Sequence, residues 1–98
     1  MRSNQDPALL QAFAAELKVR RAKLAINQDV LAYKSGVNRS FVAKLEVGTS
    51  SPSLATLFRI AEGLRMQPAD LILSVSKRYQ KALRSARKRA SAPGASTK

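Results

Sequence analysis

The chain has no cysteine and no histidine among its 98 residues. The first absence excludes disulfides and thiolate metal sites, and leaves the redox compartment unread. The second removes the side chain most often used as a general base and as a metal ligand. Acids are scarce as well: Asp6, Glu16, Asp29, Glu46, Glu62 and Asp70 are the whole set, scattered singly, so no paired-carboxylate or metal pattern forms. Tryptophan is missing. No apolar run approaches the roughly 18–20 residues needed to span a bilayer. The opening MRSNQDPALLQ has no apolar stretch of the secretory kind. Together these absences predict a cytoplasmic protein that is not an enzyme, takes no cofactor or metal and needs no small-molecule ligand.

What is present in excess is positive charge. Eighteen Lys and Arg against six acids leave a formal net charge of +12. Such an excess concerns partners rather than fold, and it points to a polyanion: DNA, RNA or an anionic membrane surface. The length allows one domain. Below roughly 70–80 ordered residues a single core supplies only about 3–5 kcal/mol, so oligomerisation is expected.

The pattern along the chain is helical throughout, with no strand signal and no internal repeat. Residues 1–6 read as a flexible start that ends in Asp6-Pro7, an N-cap followed by proline at the first helical position. Leu10, Phe13, Ala14, Leu17 and Leu24 then recur at helical spacing, predicting a first helix over about 7–24. Asn27 caps a short second helix that stops at Ser35-Gly36, and Asn38 caps a third over about 39–47 that stops at Gly48. Ser53 caps a fourth over about 54–64, with Leu54, Leu57, Phe58, Ile60, Ala61 and Leu64 as its apolar side. Pro68 opens a fifth carrying Leu71, Ile72 and Val75. Val75, Tyr79, Leu83 and Ala86 continue its stripe, so it extends to about 88 as a basic segment over 76–90. Residues 91–98 read as a disordered tail. The expected architecture is all-α, a compact five-helix bundle whose domain spans 7–75.

The informative stretch is Gln28 to Leu45: two short helices joined by a tight turn. Ala32 is small where the next helix crosses, Gly36 supplies the turn, and Val37 and Val42 fill the angle between the helices. That leaves Arg39, Ser40, Ala43 and Lys44 on an outer face, and a helix of that width fits the DNA major groove. With Gln28, Leu31, Leu45, Glu46, Gly48, Pro52, Leu54, Leu57, Ala61 and Leu64 added, the region from about Leu10 to Ile72 resembles the phage repressor and Cro-type helix-turn-helix family. That family includes restriction–modification controller proteins and many bacterial transcription regulators.

The resemblance implies a transcription regulator that binds double-stranded DNA. By position, Gln28 would contact a phosphate and brace the recognition helix, and Asn38, Arg39, Ser40 and Lys44 would face the operator. Arg39 is the foremost base reader, because a guanidinium pairs bidentately with guanine. Arg21 and Glu46 match a family pair that ties the first helix to the end of the third. The backbone from Gly48 through Thr49, Ser50 and Ser51 would lie along a phosphate strand. The family commonly dimerises through its fourth and fifth helices, where Met66, Leu71, Ile72 and Val75 are available here. A twofold homodimer would set two recognition helices about one DNA turn apart on a palindromic site. Three positions depart from the pattern: Ala25 and Arg65 stand where relatives often have glycine, and Val47 where they often have a phosphate-binding side chain.

Other side chains allow more than one reading. Phe41 either touches a thymine methyl or packs, and Tyr33 reads as a packing residue with its hydroxyl at the surface. The basic C-terminal run (Lys77, Arg78, Lys81, Arg84, Arg87, Lys88, Arg89) allows non-specific contact with DNA backbone, a dimerisation helix or a membrane-surface role. Two rival functions stay open: an antitoxin-like protein that binds a partner protein through this extension, and an RNA-binding or architectural protein that uses charge alone.

Overall fold

The computed structural model describes residues 6–91. Five helices follow one another: α1 (Pro7–Lys23), α2 (Gln28–Ser35), α3 (Arg39–Val47), α4 (Leu54–Gly63) and α5 (Pro68–Ser91). No strand occurs among the described residues. Ser91, expected to open the tail, is the last residue of α5; residues 92–98 and 1–5 lie outside the described part.

Local chemistry sets the helix starts. Asp6, Asn27, Asn38 and Ser53 each adopt extended backbone, and each side chain accepts a hydrogen bond from the amide three residues on. Each cap satisfies one of the donors a helix start leaves open, worth about 1 kcal/mol. Asp6 is therefore part of the fold and not of a flexible start; it also accepts from the Tyr79 hydroxyl of α5. Gly36 takes φ +69, the left-handed conformation that lets the chain turn tightly from α2 into α3. The turns after α1 and α4 have the same sign of φ without glycine: Ala25 sits at +56 and Arg65 at +61. The two departures noted in the sequence thus retain the glycine conformation and carry its strain.

Packing joins α1 to α3 and α5, α2 to α3 and α4, and α4 to α5. Phe13, Leu17, Leu31, Val42, Leu45, Ile60 and Leu71 fill the centre. Arg20 of α1 meets Ser74 of α5 while Glu16 meets Arg78, so the two helices run antiparallel. At the α2–α4 crossing, a Cβ on Gly63 would lie 2.2 Å from the Ser35 hydroxyl. Only glycine permits that approach, and the Ser35 hydroxyl buried there has no hydrogen-bond partner among the described residues.

Several expectations about facing need correction. Leu71 is fully buried and Val75 nearly so, both inside the chain's own core, so neither offers surface to a second subunit. Leu54 and Phe58 stand outside it, 70% and 52% exposed, because they lie on the flank of α4 away from Leu57, Ile60 and Leu64. Tyr33 is 88% exposed and packs against nothing substantial. Phe41 is half-buried against the core, so the packing reading holds for it. α5 runs unbroken through the basic run, as the continued stripe predicts, and the start of that run is tied to the domain by Arg78 and Tyr79, which bond back to α1 and its cap.

Candidate nucleic-acid interface

α3 is nine residues long, too short to persist alone in water. Both its ends are fixed. The Asn38 Oδ1 accepts from the Phe41 amide at 3.0 Å and from the Ser40 hydroxyl at 2.9 Å. Gly48, at φ +88, closes the far end, and the Gln11 amide of α1 donates to the Val47 carbonyl at 3.0 Å. The inward face carries Val42 and Leu45, both fully buried.

The third inward residue is charged. Glu46 is buried, and Arg21 of α1 grips it through Nε at 2.7 Å and Nη2 at 2.9 Å. Gln28, the first residue of α2, donates its amide to the same carboxylate at 3.0 Å. Arg21 also donates through Nη1 to the Ile26 carbonyl in the α1–α2 connection. Burial alone would raise the Glu46 carboxyl; the hydrogen bonds from Arg21 and Gln28, with the charges of Arg21 and Lys18, outweigh it and hold the pKa below the ordinary value. Three helices thus meet on one carboxylate, which fixes the orientation of α3 about its own axis.

With that face locked, Arg39, Ser40 and Lys44 point outward and are exposed, and Ala43 lies between them half-buried. Arg39 does not hang free. Its Nε lies 3.2 Å from Oδ1 of Asp29 on α2, with both side chains largely in water. Beyond α3, the Thr49 amide and hydroxyl both donate to the Lys44 carbonyl, while Ser50 is half-buried. Asn38, Arg39, Ser40 and Lys44 therefore lie on one short helix and its cap. Gln28 is turned inward by its amide, and Thr49 and Ser50 continue the same end of the molecule.

Sequence reasoning missed four participants. Asp29 as the partner of Arg39 and Gln11 as the tether of the α3 end carry no local signal. Glu16 is buried on the other side of α1, where Arg20 at 2.6 Å and Arg78 at 2.7 Å share its carboxylate. Burial raises that carboxyl, but hydrogen bonds from Arg78 and Arg20 and their charges bring it below its usual value. Arg78, read only as one cation of the basic run, instead anchors α5 through Glu16. Of the residues expected at a dimer surface, Met66 is half-buried and Ile72 is 46% exposed, and the other large apolar side chains exposed on α4 and α5 are Leu54, Phe58 and Leu73.

Two short helices joined by a left-handed glycine, with the second locked inward and polar outward, define a helix-turn-helix protein. The profile of the helix-turn-helix family matches residues 17–71, and the chain belongs to that family of DNA-binding transcription regulators. It is 31% identical over 55 residues to the control protein C.BamHI of Bacillus amyloliquefaciens, a match that covers 56% of this chain and 68% of that one. Among solved structures it is similar to the restriction–modification controller protein C.AhdI of Aeromonas hydrophila, with 32% identity and a TM-score of 0.61 over 63% of this chain and 94% of that one. It is also similar to the clp gene regulator ClgR of Corynebacterium glutamicum, with 25% identity and a TM-score of 0.70 over 87% and 95%. No helix among the described residues is long and apolar enough to cross a membrane.

Proposed function

We propose that this protein regulates transcription by binding a palindromic operator as a homodimer, with α3 in the major groove and Arg39 as its principal base reader. The observation that carries this reading is the locked recognition helix. Glu46, held by Arg21 and Gln28, leaves α3 no freedom to roll, so Arg39, Ser40 and Lys44 are presented in one fixed direction. Asp29 contributes at the same place. Its carboxylate meets Arg39 at Nε, which leaves the two terminal nitrogens to pair with O6 and N7 of a guanine. An exposed pair of this kind is weak, so it biases the side chain without immobilising it. Asn38 and Ser50 supply positioning contacts to phosphate, which fix register and carry no sequence information; Gln28 instead braces α3 through Glu46, and Thr49 spends its amide and hydroxyl on the Lys44 carbonyl.

The twofold contact is assigned to the exposed apolar side chains of α4 and α5: Leu54, Phe58 and Ile72, with half-buried Met66 at the margin. Leu71 and Val75 support it from beneath. Selection of binding sites from random duplex by the full chain tests the whole reading. It should return inverted half-sites about 10 base pairs apart, centre to centre. Arg39→Ala should then lower the preference for the selected site over random duplex by about 1–3 kcal/mol, roughly 5- to 150-fold, while affinity for random duplex hardly moves. A preference that survives Arg39→Ala removes Arg39 as the reader, and a selected site with no twofold symmetry removes the homodimer.

A further inference from the structure

We propose that the C-terminal half of α5 is a second DNA-binding element, a basic arm that grips phosphates beside the site held by α3; this rests on the DNA-binding reading above. Three observations carry it. First, α5 outruns the body of the protein. Through Tyr79 it is tied down, by buried Leu71 and Val75, by Arg78 on Glu16 and by Tyr79 on Asp6. From Gln80 to Ala90 every residue except half-buried Leu83 is exposed, about 15 Å of helix standing clear.

Second, the charge on this helix is organised. At about 100° per residue, Lys77, Lys81, Arg84 and Lys88 fall in one band roughly 60° wide, on the side opposite Val75, Tyr79 and Leu83. No Asp or Glu follows Asp70 in the sequence, so no later acidic side chain offsets Lys77, Lys81 and Arg84. Like charges three and four residues apart repel along a helix, and a row of phosphates relieves that repulsion.

Third, the arm leaves the body in the right place. Tyr79 and Gln80 line one wall of an apolar groove whose other walls are Leu9 and Leu10 of α1 and Ser51 and Pro52 of the α3–α4 loop. Gln11, in the same part of α1, is bonded to the end of α3. The base of the arm therefore lies beside the loop that follows the recognition helix, with the basic band on the flank turned away from that groove and open to solvent.

Duplex DNA suits this arm better than a membrane. A membrane-surface helix buries its apolar face in lipid. Here the arm offers only half-buried Leu83 and three alanines as an apolar face, too little to bury in lipid.

The test is a salt titration of binding to selected operator and to random duplex, using the full chain and the triple variant Lys77→Gln, Lys81→Gln, Arg84→Gln. Each phosphate contact contributes about 0.9 to the slope of log affinity against log salt, so the slope should fall by roughly 2.7 per chain. Affinity for both duplexes should drop together at low salt, leaving the operator-to-random ratio unchanged. A charge-preserving variant (Lys77→Arg, Lys81→Arg, Arg84→Lys) should retain the wild-type slope, and circular dichroism should show the same helix content in all three. An unchanged slope in the triple variant overturns the arm. So does wild-type binding to single-stranded RNA or to phosphatidylserine vesicles that is tighter than binding to duplex at the same salt and is lost in the triple variant. Failure of operator recognition reads differently: the wild type then shows no preference for any duplex, whatever the slope does.

Discussion

Removing either member of the Arg21–Glu46 pair breaks the same contact, yet the two losses should differ. The Glu46 side chain is 4% exposed and that of Arg21 is 22% exposed. Arg21→Ala strands a carboxylate in the interior with one amide hydrogen bond, from Gln28. Breaking a buried pair this way costs about 3–5 kcal/mol, and the partial exposure of the arginine places this case near the lower limit, about 3 kcal/mol. Glu46→Ala strands an arginine that can turn to water, so it should cost about 2 kcal/mol, between the buried and exposed limits. For a domain of this size 1 kcal/mol corresponds to about 4–8 °C in midpoint, so Arg21→Ala should melt roughly 12–24 °C below the wild type. Acid should narrow that gap. In the wild type the folded Glu46 pKa is depressed, and the stability it contributes is lost as pH falls through that value. In Arg21→Ala the uncompensated burial raises it, so protonation relieves the variant at a pH where the wild type is still charged. The assay is urea denaturation of both variants and the wild type at about pH 7 and about pH 4. The reasoning is refuted if Glu46→Ala costs as much as Arg21→Ala, or if the Arg21→Ala deficit is the same at both values.

Glu16 and Glu46 are both buried and both hold pKa values below the ordinary 4.5. Their stabilisation should be complete above that value and vanish as pH falls through the lower folded values, so Glu16→Gln/Glu46→Gln should be less stable at neutral pH yet lose less on acidification, as followed by thermal melts. Ala25→Gly and Arg65→Gly each relieve a left-handed backbone that a Cβ opposes; each should raise stability by about 0.5–1 kcal/mol by denaturant titration, and a loss in either would show that the side chain is needed there.

Much of the fold was legible because its signals are local. The caps at Asp6, Asn27, Asn38 and Ser53 and the turn at Gly36 depend on residues within a few positions, and all appear where the sequence places them. Facing was less legible. On α4 six apolar residues cover more than one side of the helix, and only packing against α2 and α5 decides that Ile60 and Leu64 go in while Leu54 and Phe58 stay out. The same holds on α5, where Leu71 and Val75 are taken by the core and Ile72 is left exposed. Charge was least legible. Glu16 and Arg78 are 62 positions apart, and nothing in their neighbourhoods marks either as buried. The Arg21–Glu46 pair, 25 positions apart, was visible only because a family resemblance supplied it.

The two carboxylates also explain how so small a core can position two surfaces. Both pairs radiate from α1: Arg21 reaches Glu46 on α3, and Glu16 reaches Arg78 on α5. Arg20 joins the second pair and adds a hydrogen bond to Ser74, while Gln11 holds the last carbonyl of α3. An apolar contact is non-directional and permits a packed helix to slide or roll. An arginine fork on a carboxylate does not, because two parallel hydrogen bonds are satisfied in only one orientation. At Glu46 α1 thus carries the angular information for α3, while at Glu16, where Arg20 and Arg78 each bring one Nε bond, it pins the base of the C-terminal arm in position. A change in α1 that left the core volume intact would still reach the DNA, by rotating one of those helices relative to its partner.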